Sequence, residues 1–172
     1  AYISSNYENM ITVFKENFRA DVKRILYDNL NPRIYEITNG LATDKKYSQL
    51  WINFRKSVSP EFKFGIASFN GKGHINGNLF IGLLDEKASE SLKNIPEEHR
   101  IDSKWRHTRP IKTKDGNEIN LNHKFTLKKL ASPKSDDYKE LLKWTIDETL
   151  GFIKDYEKKL PAELSLDTEK IA

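Results

Sequence analysis

The 172-residue chain contains no cysteine. That removes a disulfide framework, a thiolate metal site and a cysteine nucleophile together, and it fits a reducing, cytoplasmic setting. Glycine and proline are sparse, at 8 and 6 residues, and no internal repeat or low-complexity segment occurs. No apolar run approaches the roughly 20 residues needed to span a bilayer. The longest, Leu79–Leu84, has the length of a strand. The first residues, Ala-Tyr-Ile-Ser-Ser-Asn, lack the basic and apolar regions of a signal peptide. The chain therefore reads as a cytoplasmic protein, with its initiator Met removed or cut from a longer chain. Signatures of hydrolases are missing too: there is no Gly-x-Ser-x-Gly and no His-Glu-x-x-His. The histidines at 74, 99, 107 and 123 never pair four residues apart, which argues against a zinc site. His123 keeps register with Leu121 and Phe125 and reads as a core or edge histidine. No cofactor is implied.

What is present describes a globular chain: 37% hydrophobic and 31% charged residues, too apolar and aromatic for disorder. The expectation is one α+β domain over residues 1–161, an antiparallel sheet packed against two long amphipathic helices, with a polar, frayed tail at 162–172. The first helix begins at a capping box, Ser5-x-x-Glu8. Tyr7, Ile11, Phe14, Phe18, Val22 and Ile25 then recur every three or four residues and should face the core. Lys15, Glu16, Arg19 and Lys23 should face water. Pro32 ends this helix near Asn29. Asn31-Pro32 is competent to start a short helix reaching Gly40; a strand through Arg33–Thr38 competes with it.

The middle of the chain reads as β. Leu50–Arg55, the alternating Phe62, Phe64 and Ile66, and the apolar Asn78–Leu84 are strands. Between the last two, Asn70-Gly-Lys-Gly-His-Ile-Asn-Gly-Asn78 has the chemistry of a hairpin loop. It is not a dinucleotide fingerprint, because its third glycine comes one residue late and no helix follows. Asp85-Glu86-Lys87 should open a short helix carrying Ala88, Leu92 and Ile95. Asp115-Gly116 is a strong hairpin turn, expected to join Trp105–Thr113 to Asn117–Leu130. On the second arm Ile119, Leu121, Phe125 and Leu127 alternate with polar residues, as in a half-buried strand. The last helix is capped by Ser135, with Asp136 and Asp137 in its first turn. Its apolar face holds Tyr138, Leu141, Leu142, Thr145, Phe152, Ile153 and Tyr156; Lys158 and Lys159 close it and Pro161 stops it.

Charge is segregated. From Arg100 to Lys134 there are ten Lys/Arg and three acids, a local +7 against +4 for the whole chain, so the remainder nets −3. A basic β-ribbon can track phosphates, and aromatic rings can stack on bases. The candidate nucleic-acid contacts are Lys104, Trp105, Arg106, His107, Arg109, Lys112, Lys124 and Lys128. The bland alternative is a solvated face that discourages edge-to-edge pairing. A second constellation tests a Mg²⁺-dependent nuclease. Such sites place a carboxylate at one strand and acid-x-Lys at the next. Glu61 precedes the strand at Phe62, and Asp85-x-Lys87 follows Leu79–Leu84, although Asp85 serves equally as a helix cap.

Taken in order, Trp51-Ile-Asn-Phe54, a hairpin, the strand Leu79–Leu84, a short charged helix, Trp105, a further strand and a closing helix with Trp144 and Phe152 resemble the uncharacterised C-terminal domain appended to some restriction-like nuclease modules in bacterial and phage-defence proteins. The resemblance covers about residues 50–160 and is one of pattern. It implies an accessory, DNA-associated, non-catalytic role, and it assigns no site residue. Three readings are therefore carried forward. The first is a non-enzymatic module binding DNA or RNA, or serving a nuclease partner, through residues 100–130. The second is a nuclease using Glu61, Asp85 and Lys87. The third is a protein–protein interaction domain.

Overall fold

The structure, a computed structural model, describes residues 2–56, 62–88 and 92–160. It is α+β. Helix α1 (Tyr2–Asn29) is followed by five strands, β1 (Tyr35–Asn39), β2 (Gln49–Phe54), β3 (Phe62–Ala67), β4 (Phe80–Asp85) and β5 (His107–Pro110), then by α2 (Lys124–Leu130) and α3 (Asp136–Glu157). The strands form one meander in the order β1-β2-β3-β4-β5, every neighbouring pair antiparallel. Of the two options after Pro32, the strand prevails: Tyr35 pairs with Phe54 and Asn39 with Leu50.

Alternation along the strands gives the sheet two different faces. On one, Leu50, Ile52, Phe64, Ile66, Ile81 and Leu83 join Phe18, Val22 and Leu26 of α1 and Leu141, Phe152 and Tyr156 of α3 in the main core. The other face is thinner. There Ala67, Phe80, Leu84 and Trp105 form a second cluster, with Trp51 packed against it. The indoles of Trp51 and Trp105 lie stacked, ring centres 5.9 Å apart, above the paired glycines Gly65 and Gly82.

Helix α3 forms as expected, with the Ser135 hydroxyl accepting from the Tyr138 amide at 3.2 Å. Other expectations are corrected, among them Tyr7, which is 57% exposed rather than in the core. Helix α1 starts at Tyr2, so Ser5 lies inside it rather than capping it. Lys15 and Arg19 are not on a wet face but 6% and 5% exposed. Their angular position on α1 borders that of Val22 and Leu26, and loops close over them: Arg19 Nη1 donates to the carbonyls of Leu41 and Gln49 at 2.6 and 3.2 Å, and Lys15 donates to the Asn70 carbonyl at 2.9 Å. No helix opens at Asp85, which is the last residue of β4 and is buried. Leu92 and Ile95 enter the core all the same; residues 89–91 lie outside the described residues.

A further correction concerns the long hairpin. Its turn exists: Gly116 donates to the Thr113 carbonyl at 2.9 Å, and Lys112 bridges Glu118. Ile119 and Leu121 are buried as expected, but the second arm stops there. Asn120 accepts the Asn122 amide through its side chain at 2.8 Å, the chain turns, and His123 takes the N-cap position of helix α2 without a side-chain capping bond. Leu127 and Leu130, three apart, then face the core, while Phe125 points outward at 70% exposure. His123 is exposed, not a core residue.

Candidate functional site

The eight candidate contacts separate by residue type. Arg106 donates to the Asp85 carboxylate at 2.8 Å, with both side chains largely buried. Arg109 is held by a fork: Nε and Nη2 donate to the two Glu98 oxygens at 2.8 and 3.2 Å, and Nη1 reaches Asp155 at 3.2 Å. Its guanidinium also lies 5.1 Å from the centre of the Phe152 ring. The Tyr156 hydroxyl donates to the same Glu98 at 2.9 Å. Burial alone would raise the Glu98 pKa; the Arg109 and Tyr156 hydrogen bonds outweigh it and set the carboxyl below its ordinary value. The Glu98 hydrogen bond in turn raises the Arg109 pKa. Both arginines are thus engaged within the fold.

Trp105 and His107 are interior as well. Trp105 is 6% exposed, stacked on Trp51 and edge-on to Phe80. His107 is 1% exposed, packed beside the Tyr156 ring at 5.4 Å. Burial, and then the charge of Arg106, lower its pKa, so the imidazole stays neutral in the fold. Neither ring is open to a base.

The lysines behave differently: Lys104, Lys112, Lys124 and Lys128 are all exposed. Lys124 and Lys128 stand one turn apart on α2, on the same side of the helix. Phe125 sits beside them, and its ring is near-parallel to that of His123 at 6.2 Å and 29°. Lys129 lies at 5.9 Å over the half-buried Trp144 of α3. The outcome is a short helix whose outer surface presents an aromatic pair among ammonium groups.

For the nuclease constellation, Asp85 is the ion-pair partner of Arg106, Lys87 is exposed in the following turn, and Glu61 lies outside the described residues. Among the described residues no group of three His, Asp or Glu side chains is arranged to hold a metal ion, and no helix is long and apolar enough to cross a membrane.

Sequence reasoning missed a polar cleft of about 480 Å³ between α1 and the glycine-rich loop, lined by Lys15, Lys72, Asn70 and Asn122 among others. Its one legible signal was a lysine on the flank of the apolar stripe of α1. No protein-family model, curated protein or solved structure matches this chain.

Proposed function

We propose that this protein is a non-enzymatic module that binds single-stranded nucleic acid through the outer surface of α2, as an accessory to a nucleic-acid enzyme. One observation carries the reading: Phe125, the most exposed large hydrophobic side chain among the described residues at 70%, stands stacked with His123 between exposed lysines. Burial explains Leu127 and Leu130 on the same helix, but not Phe125. An open ring flanked by ammonium groups suits a strand whose bases are free to stack and whose phosphates lie alongside. Duplex DNA hides its base faces and would use only the lysines.

The test is binding to single-stranded and duplex oligonucleotides across a salt series. If Lys124 and Lys128 of α2 each meet a phosphate, the log–log slope on single strands should be roughly −1.4, at about −0.7 per contact. Phe125→Ala should weaken single-strand binding by about 1–3 kcal/mol, the worth of one stacked base, and leave duplex binding nearly unchanged. Equal losses on both substrates would remove the stacking role. No binding even at about 50 mM salt, where non-specific contacts are strongest, would make α2 a protein-docking face instead.

A further inference from the structure

A lysine amine buried by folding ordinarily meets a carboxylate, because an isolated charge is costly to desolvate. Lys15 meets none. Its Nζ donates to the Asn70 carbonyl at 2.9 Å and to the Asn122 side-chain oxygen, both neutral acceptors. The ammonium has three N–H bonds, so one remains. The charge that shifts it is another cation, Lys72, on the exposed rim of the same cleft. Glu8 and Asp44 also line the cleft, but among the described residues neither Lys15 nor Lys72 forms an ion pair.

The walls are built, not incidental. Asn70 accepts the Lys72 amide at 2.9 Å, and its side-chain nitrogen donates to the Lys45 carbonyl. Asn122 donates back to the Gly71 carbonyl at 3.2 Å. Gly71 has φ +74°, and a Cβ there would stand 2.6 Å from the Asn122 amide nitrogen, so only glycine lets the two loops close on Lys15. Three separate segments converge to hold the Lys15 and Lys72 amines at one opening, with Glu8 and Asp44 also in its lining and, among the described residues, in ion pairs with neither. That arrangement costs stability when empty, and a dianion reverses the cost.

We infer that the cleft between α1 and the 70–78 loop is a binding site for a doubly charged oxyanion, with the Lys15 and Lys72 amines as its cationic ligands. At about 480 Å³ the cleft exceeds a bare ion and suits a phosphate monoester of mononucleotide size. The shared chemistry is the phosphate group, free or esterified. The inference is independent of the α2 surface.

Calorimetric titration of the full chain with inorganic phosphate, adenosine 5′-monophosphate and adenosine separates the cases. Binding of either phosphate compound without adenosine binding supports the site, and tighter binding of the monophosphate identifies the ester as the ligand. Lys72→Gln, an exposed substitution that should leave the fold intact, is expected to weaken dianion binding about tenfold. Sulfate keeps its two charges across the range and supplies a pH arm. Burial, and then Lys72, lower the Lys15 pKa to about 8, so sulfate affinity should fall roughly tenfold per pH unit above that value. Lys72, Glu8 and Asp44 are the charged groups facing it, and the inflection should persist in Lys72→Gln. A purely structural Lys15 predicts neither effect. Dianion affinity that ignores both Lys72→Gln and pH, or no binding at about 10 mM anion, where even a weak site would fill, overturns the site.

Discussion

Phe18 of α1 is fully buried, its ring 6.1 Å from those of both Phe69 and Tyr138. It links α1 to α3 and to the end of β3, so a cavity there has no easy way to collapse. Phe18→Ala should cost about 3–5 kcal/mol in urea unfolding; a change under about 0.5 kcal/mol would place Phe18 outside the core. Lys15 offers a test by pH. Its pKa is 10.5 unfolded and about 8 folded. Below pH 8 both states are protonated and the fold bears the full cost of burying the charge. Between about 8 and 10.5 the unfolded state holds more proton, so stability attributable to Lys15 rises with pH. Lys15→Met removes this term. The stability difference, variant minus wild type, should therefore shrink as pH is raised from 7.5 to 9.5. Tyr35, Tyr138 and Tyr156, whose pKa values are raised by burial first and then by their carboxylate partners, are common to both proteins and cancel. A pH-independent difference would show that Lys15 titrates normally. The sequence concealed Lys15 because α1's apolar stripe is wide: a lysine about 20° around the helix from Val22 counts as wet or dry only once the loops carrying Asn70 and Asn122 are placed over it.

At the scale of elements, the sheet's two faces demand different things of glycine. Gly65 of β3 pairs with Gly82 of β4 under the two indoles. A Cβ on Gly65 would lie 2.6 and 2.7 Å from the Trp51 ring and 3.1 Å from Trp105. Gly65→Ala should therefore push the stack apart, cost about 1–3 kcal/mol as an overpacked site does, and alter tryptophan fluorescence. Gly151, on the exposed side of α3, has nothing within 4 Å of an added Cβ, so Gly151→Ala should stabilise by about 0.5–1 kcal/mol. Opposite signs at the two positions would confirm that Gly65 is a packing residue; equal gains would mean the tryptophans are loosely held. Helix α3 was legible because its period runs over 22 residues, and strands β2, β3 and β4 because short apolar or alternating runs are bounded there by turn-forming residues. The segment 119–130 was not. Its apolar residues 119, 121, 125 and 127 fit a period of two, whereas 127 and 130 fit a helix, and over so short a run the two patterns overlap. The decisive signal was the Asn120-Leu-Asn122 turn, whose side chains close on the backbone of their own loop and of Gly71. The Asn120 turn is local, but the Gly71 contact that fixes it lies 51 residues away in sequence.

For the whole molecule, the net charge between 100 and 134 was legible, but its division of labour was not. Arginine and lysine count alike in a sum, yet the planar guanidinium forks suit carboxylates brought close by folding, and the ammonium groups remain hydrated. Arg106 closes on Asp85, and Arg109 joins β5 to Glu98 and to Asp155 of α3. Lys104, Lys112, Lys124 and Lys128 stay in solvent. This division can be tested with two variants and two measurements. Arg109→Gln strips the fork from Glu98, whose side chain is 29% exposed. Because water can partly rescue that carboxylate, the loss should be moderate, about 1–3 kcal/mol of stability. The salt slope for single-stranded nucleic acid should not change, since the guanidinium contacts protein rather than phosphate. The double variant Lys124→Gln/Lys128→Gln should do the reverse. Its stability should stay within about 0.5 kcal/mol of the parent, as exposed substitutions generally do, and its slope should flatten by about 1.4, two contacts at roughly 0.7 each. If Arg109→Gln instead flattened the slope and left stability untouched, the Glu98–Asp155 fork would not persist in solution. The arginine would then belong to the nucleic-acid surface, and the assignment of binding to α2 alone would be wrong.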